Sequence, residues 1–293
     1  MPNHPLAEVF GFPIDDMSSE AHRYRKNRLC PFNNKVPNCT KDKAEDPLGT
    51  CSIYHGNSIA ITCPVRLREG WLIAEEAANF FFPSDAKWTS LIETRLEDGD
   101  GKSAGNIDVV LVSYDDRGKI IDFGGLEVQA VYISGNIRDP FEFYRQDPEA
   151  NQNLDWRGKP KYPRADYLSS SRKRLLPQLL YKGTILRAWG KKQAVALHKD
   201  FYAELPDLSE VDKNEAELAW LLYDLAQDPI TRRYHLTSHR AVYTKFASAL
   251  LMISTPKVGP MEKFVEKLQA KLDNKLDNGT PPDTFTILDE RLT

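Results

Sequence analysis

The sequence predicts an α/β fold, with α+β as the alternative, and three observations carry that expectation. Residues 88–133 hold three consecutive strand-like runs, WTSLIETRLE, IDVVLVSYD and KIIDFGGLEVQAVYI, separated by Gly, Asp and Asn clusters. Before them, LREGWLIAEEAANFFF places Leu67, Trp71, Ala74, Ala78 and Phe81 at helical spacing and stops at Pro83. Helical patterns return after the strands, so helices bracket a sheet.

Taken in order, residues 1–66 are rich in Pro, Asn and Cys and poor in apolar periodicity, which predicts a loop-rich module. The main domain is expected over 67–275 and a loose tail over 276–293. Residues 164–189 read as a helix kinked at Pro177. QAVALHKDFYAEL and AELAWLLYDLA fit strand or helix, whereas HRAVYTKFASALLMI and GPMEKFVEKLQAKL read as helices.

Composition limits function. Charged residues make up 28% of the 293 and hydrophobic residues 41%, enough for a packed core. The longest apolar run, Phe246 to Ile253 broken by Ser248, is too short to span a bilayer, and the N-terminus has no secretory pattern. The expected compartment is the cytoplasm. The net charge of −3 hides a block from Arg157 to Lys199 with twelve Lys/Arg against one acid. Such a block is a solvated face or a footprint for a polyanion, and Arg172, Lys173 and Arg174 are its candidate phosphate contacts. There is no HExxH, GxSxG, GxxxxGK[ST] or Rossmann fingerprint. His235 and His239, four apart in YHLTSH, would share a helix face and could hold a metal there, although an ordinary surface pair is the commoner arrangement.

All four cysteines, Cys30, Cys39, Cys51 and Cys63, fall in one 34-residue window. In a reducing compartment that clustering predicts four thiolates on one structural metal ion, zinc or iron, with buried thiols or two disulfides as alternatives.

Asp108 opens one apolar strand, and Glu127 and Gln129 interrupt another. Charges inside such strands need partners. A hairpin turning at Asp115–Gly118 would set Asp108 opposite Gly125, with Glu127 diagonal to it on the same face and Gln129 beyond. Two carboxylates and a carboxamide around the space left by Gly124 and Gly125 suit a hard divalent cation, Mg²⁺ above all. A one-residue slip would separate them. Glu93, from the preceding strand, is a further candidate ligand, and a buried hydrogen-bonded polar pair is the alternative.

The motif D-x18-E-x-Q across a hairpin resembles the PD-(D/E)xK nuclease core, with Gln129 where lysine usually stands. Four cysteines, then Glu93, Asp108 and E-V-Q, are similar in order to the NotI family of type II restriction endonucleases over residues 9–145. The resemblance implies a central mixed sheet flanked by helices behind the four-cysteine module. It implies a homodimer that cuts both strands of duplex DNA with Mg²⁺ at a short palindromic, GC-rich site. In that scheme Asp108 and Glu127 hold the metal, Gln129 orients the attacking water, Glu93 assists, and Cys30, Cys39, Cys51 and Cys63 bind one iron. A different metal-dependent DNase, or a non-catalytic DNA-binding protein stapled by a metal, would carry many of the same features.

Overall fold

The computed structural model describes residues 3–33, 35–43 and 45–277. The tail expected over 276–293 lies outside them from 278 onward. The chain divides into two compact units, with the boundary in the sequence between Ser254 and Thr255.

The first unit opens with a small sheet that the composition conceals. Strands β1 (Leu6–Val9), β2 (Phe12–Pro13), β3 (Thr50–His55) and β4 (Ser58–Ile61) lie in the order β2-β1-β3-β4. Helix α1 (Ser19–Lys26) is capped by Ser18, whose hydroxyl accepts the Ala21 N–H at 3.2 Å. The segment therefore has more than loops. Leu6, Val9, Phe10, Ile14 and Leu48 bury against Phe141 and Tyr144 of helix α3 (Arg138–Gln146). Its strands are too short to show a period, and its two hairpins lie far apart in sequence.

One charged pair sits at full burial here. Glu8 in β1 and Arg66, just after Cys63, are both 0% exposed. The Arg66 Nε lies 3.1 Å from both Glu8 carboxylate oxygens. Its remaining nitrogens donate to Glu69 at 2.7 Å and to the Tyr234 carbonyl at 2.8 Å.

Helix α2 (Leu72–Phe81) follows where the apolar spacing predicts it and buries Ala74, Ala78 and Phe81. It begins at Leu72 because Gly70 and Trp71 take left-handed backbone at φ 59° and 56°. Strands β5 (Trp88–Glu97), β6 (Ser103–Tyr114) and β7 (Ile120–Gln129) form an antiparallel meander. A short ribbon pairs β8 (Tyr132–Ser134) with β9 (Arg164–Asp166), and α3 (Arg138–Gln146) lies between them in the chain.

Three more strands complete the main sheet: β10 (Gln193–His198), β11 (Leu218–Gln227) and β12 (Tyr234–Thr244). The order is β12-β11-β10-β7-β6-β5, with β10 parallel to both β7 and β11 and every other pair antiparallel. The fold is a mixed α/β sheet flanked by helices. The α2 side chains fill one face, over Val109, Leu111, Leu126 and Val128. Leu175, Leu179 and Phe246 cover the other, over Val195, Leu197 and Trp220.

One helical expectation is corrected. HRAVYTKFASALLMI is half strand, the end of β12, and half helix, Phe246–Ser254. His235 and His239 thus lie on a strand, roughly 13 Å apart along it, and share no helix face. His235 instead meets Glu69 at 3.1 Å. The run from Tyr167 to Ala188 is helical throughout, alternating α turns with π turns at Ser171–Leu175 and Leu179–Gly183. The wider turns flank Pro177, where an α-helix would lose a hydrogen bond and clash with the carbonyl four residues back.

The second unit contains the helix Met261–Asp277, exposed along its length. Among the described residues no helix is long and apolar enough to cross a membrane.

Candidate active site

The hairpin joining β6 to β7 does not have the register expected from the sequence. Its loop holds three residues, Asp116 to Gly118. The Gly118 N–H donates to the Asp115 carbonyl at 2.9 Å, and the Asp115 N–H donates to Lys119 at 2.9 Å. Gly118 takes φ 76°, the left-handed geometry that closes such loops. A second one-residue shift follows beside Ile121. Each shift reverses the face presented, and together they restore it. Gly125 therefore faces Val110 rather than Asp108, and the ladder carried one step past Val109↔Leu126 sets Asp108 directly across from Glu127. Gly124 and Gly125 do not leave an empty pocket either. A Cβ on Gly124 would lie 2.5 Å from the Phe81 ring, and one on Gly125 would lie 2.7 Å from Leu186. Both faces close down on these glycines.

On the other side of β6, Ile92↔Val109 and Thr94↔Ile107 flank a gap in the ladder where Glu93 stands across from Asp108. Glu93 has φ 55°, a strained setting for a glutamate. Ile107 and Val110 pack in one cluster against Leu186, so the alternation of β6 breaks at Asp108. Three carboxylates, Glu127, Asp108 and Glu93, thus occupy one row across three adjacent strands.

Their environments differ. Asp108 is half-buried, and its Oδ2 accepts the Val128 N–H at 2.8 Å. Glu127 is 1% exposed; its Oε2 receives the Lys182 ammonium at 2.6 Å, and its Oε1 is buried with no hydrogen-bond partner. Burial first, and then the Asp108 charge, push the Glu127 carboxyl up to about 8, against the pull of Lys182. Gln129 is buried and bonds through its amide nitrogen to the Gln178 side-chain oxygen. Glu93 is exposed and meets Lys35 at 3.2 Å.

Asp108 and Glu93 line a cleft of about 970 Å³ that also takes in Cys63, Lys41, Arg68 and Arg174. Of the three basic residues singled out in the sequence, Arg174 reaches this cleft and stacks on Tyr132 at 5.3 Å. Arg172 and Lys173 are exposed on the same turn, outside the lining. Sequence reasoning missed Lys182 and Gln178. Their signal was only a spacing of four on a helical run, and nothing in that spacing names the strand they face.

The four cysteines are all free thiols; Cys39, Cys51 and Cys63 are buried and Cys30 is half-buried. Burial raises the Cys30 thiol to about 11, with Cys63 and Cys39 adding to the rise. Burial likewise raises Cys51 well above its ordinary value, reinforced by Cys63, Glu8, Cys30 and Cys39. Among the described residues no three His, Cys, Asp or Glu side chains converge in a ready-made metal cage, either here or in the cleft.

Comparison with known proteins agrees with this architecture. The family model described as restriction endonuclease NotI matches residues 9–236. No curated protein matches the chain. The matched span runs from β1 into β12 and so includes the cysteine segment, the carboxylate row and the basic run. The chain belongs to the NotI family of type II restriction endonucleases, and it is a site-specific deoxyribonuclease whose substrate is DNA.

Proposed function

We propose that the protein hydrolyses both strands of duplex DNA at a short palindromic, GC-rich site, as a homodimer, with Mg²⁺ held by Asp108 and Glu127. The observation that carries this reading is the Glu127 Oε1, buried and unpartnered beside a second carboxylate. A buried acceptor left alone costs about 1–3 kcal/mol, and a divalent cation would satisfy it. Mg²⁺ bound there would polarise the scissile phosphate and acidify a water. Asp108, with Oδ2 fixed by Val128, keeps its other oxygen for the cation. Gln129 has its amide nitrogen on Gln178, so its carbonyl oxygen is the end that holds a water's hydrogen. Glu93, in the same row and at the cleft surface, assists by accepting from that water or from a water beside it. Arg174 and Arg68 neutralise phosphates in the cleft, and Arg172 and Lys173 continue that track. The palindromic GC-rich site and the homodimer rest on the family.

Plasmid and phage DNA incubated with the protein in Mg²⁺ should give discrete fragments, with none in EDTA, and sequencing the ends should give the site. A smear, or cutting that survives EDTA, would overturn this reading.

The pH dependence of cation binding is a second check. A carboxyl raised to about 8 in the fold, against 4.5 unfolded, binds a proton in the folded state across that window. Without metal, stability should fall as pH rises from 4.5 through 8. A cation competes with that proton, so Ca²⁺ should raise Tm more at about pH 9 than at about pH 6. An equal rise at both would show that Glu127 is not the ligand.

The four thiols hold one structural iron or zinc, working in the cytoplasm, where they stay reduced. Supporting this, none is in a disulfide, and Lys41 carries its ammonium beside Cys63, Cys51 and Cys39. Four buried thiols whose thiolates would repel one another ionise together when a metal ion binds them. Elemental analysis should find about one iron or zinc per chain, and Cys51→Ser should lose it together with a large drop in Tm. Wild-type protein that is metal-free yet stable would refute the assignment.

A further inference from the structure

We propose that Lys182 is a positioning residue of the cleavage site: from the helical run it clamps one oxygen of Glu127 and thereby dictates which oxygen the site presents. This rests on Asp108 and Glu127 forming the centre.

The clamp is one rung of a two-rung ladder. Glu127 and Gln129 are two apart on β7, about 6.6 Å along the strand and on one face. Gln178 and Lys182 are four apart on the helical run, where such side chains lie about 5–6 Å from each other. The rungs are Gln129 to Gln178 and Glu127 to Lys182, the latter at 2.6 Å. Near-equal spacings let both rungs form at once, and so the strand fixes the register of the helix.

The Lys182 ammonium is committed elsewhere too. It donates to the Asn106 carbonyl at 2.8 Å, two residues before Asp108 on β6. Lys182 is 4% exposed, and Glu127 is its one ion-pair partner among the described residues. The side chain thus ties β6 to β7 at the point where the two carboxylates meet. With Oε2 held, Glu127 cannot swing or offer both oxygens; Oε1 alone remains, and Oε1 is the atom without a partner.

The surrounding backbone is shaped to bring this lysine in. Lys182 lies in the π turn Leu179–Gly183, and such turns recur at functional sites. One turn on, Leu186 rests on Gly125 of β7, where a Cβ would come within 2.7 Å. A larger residue at 125 would hold the helix off the strand and pull Lys182 from Glu127.

The test compares single-turnover cleavage, DNA affinity in Ca²⁺ and Tm for wild type and three variants. Lys182→Arg keeps the charge, and with it the fold, but replaces a point donor by a planar fork. It should cut at least about tenfold slower, with DNA affinity within about threefold of wild type. Lys182→Met should be slower by about 100-fold or more. Lys182→Met/Gln129→Lys moves the ammonium one rung along the same face and should recover at least about tenfold of that loss. A wild-type rate in Lys182→Arg would overturn the proposal, because charge compensation alone would then suffice. So would a folded double variant no faster than Lys182→Met. Should Asp108→Asn still cut, the centre itself would be wrong, which is a separate failure.

Discussion

Asp108→Asn is expected to abolish DNA cleavage while leaving the fold as stable as wild type or more so. The substitution keeps an oxygen to accept the Val128 N–H, so the tie between β6 and β7 at this point is kept. It removes the charge that, after burial, does most to raise the Glu127 carboxyl, and the folded state is relieved of that repulsion. What disappears is half of the anionic pair that would hold the cation against a phosphate. The cleavage rate should fall by about 10³-fold or more, the scale on which electrostatic stabilisers of a transition state act. DNA binding in Ca²⁺ should persist. Single-turnover cleavage and a binding titration on the same preparation separate the two effects. Loss of binding together with cleavage would mean that Asp108 supports the DNA surface instead of the chemistry.

The largest stability effect is expected at Arg66. Arg66→Met preserves much of the side-chain volume but leaves Glu8 a wholly buried carboxylate with only Ser52 donating to it, at 2.7 Å. Breaking one half of a buried pair costs about 3–5 kcal/mol. Here the loss also frees Glu69 and the Tyr234 carbonyl and uncovers the Phe32 ring, on which the guanidinium rests at 4.3 Å. Urea unfolding should show the loss as a lower midpoint. Removing the orphaned charge as well, in Arg66→Met/Glu8→Gln, should return most of it. A shift below about 1 kcal/mol in the single variant would show that water reaches Glu8 when the arginine leaves. Because Arg66 follows Cys63 by three residues and ties β1 to β12, this pair joins the cysteine segment to the main sheet.

The ladder and the row of carboxylates also explain why the register had to be seen. Counting residues around a two-residue loop sets Asp108 opposite Gly125. The actual loop is one residue longer, and a further shift follows at Ile121. Either irregularity alone would send Glu127 to the α2 face. Gly118 hints at the first, but no composition or spacing rule announces the second. The same holds for Glu93, whose place across from Asp108 depends on a left-handed residue inside a strand.

Some features were legible because they depend on near neighbours in the chain. The three apolar runs became β5, β6 and β7, the 67–82 spacing became α2, and the concentration of Asp108, Glu127 and Gln129 in buried strands marked a polar site in an apolar setting. Strands β10 and β11 were ambiguous because both faces are covered, so their sequences lack the alternation that separates strand from helix. The small N-terminal sheet was hidden because its strands are only two to six residues long and its two short hairpins are joined by a pairing more than forty residues apart, Leu6↔Ile53. The basic run from 157 to 199 showed its charge but not its division of labour. Only packing places Arg174 at the cleft, leaves Arg172 and Lys173 in solvent and buries Lys182 against Glu127. Local chemistry along the chain determined which residues are available for catalysis. Long-range pairing, whose register no local preference dictates, decided which of them meet.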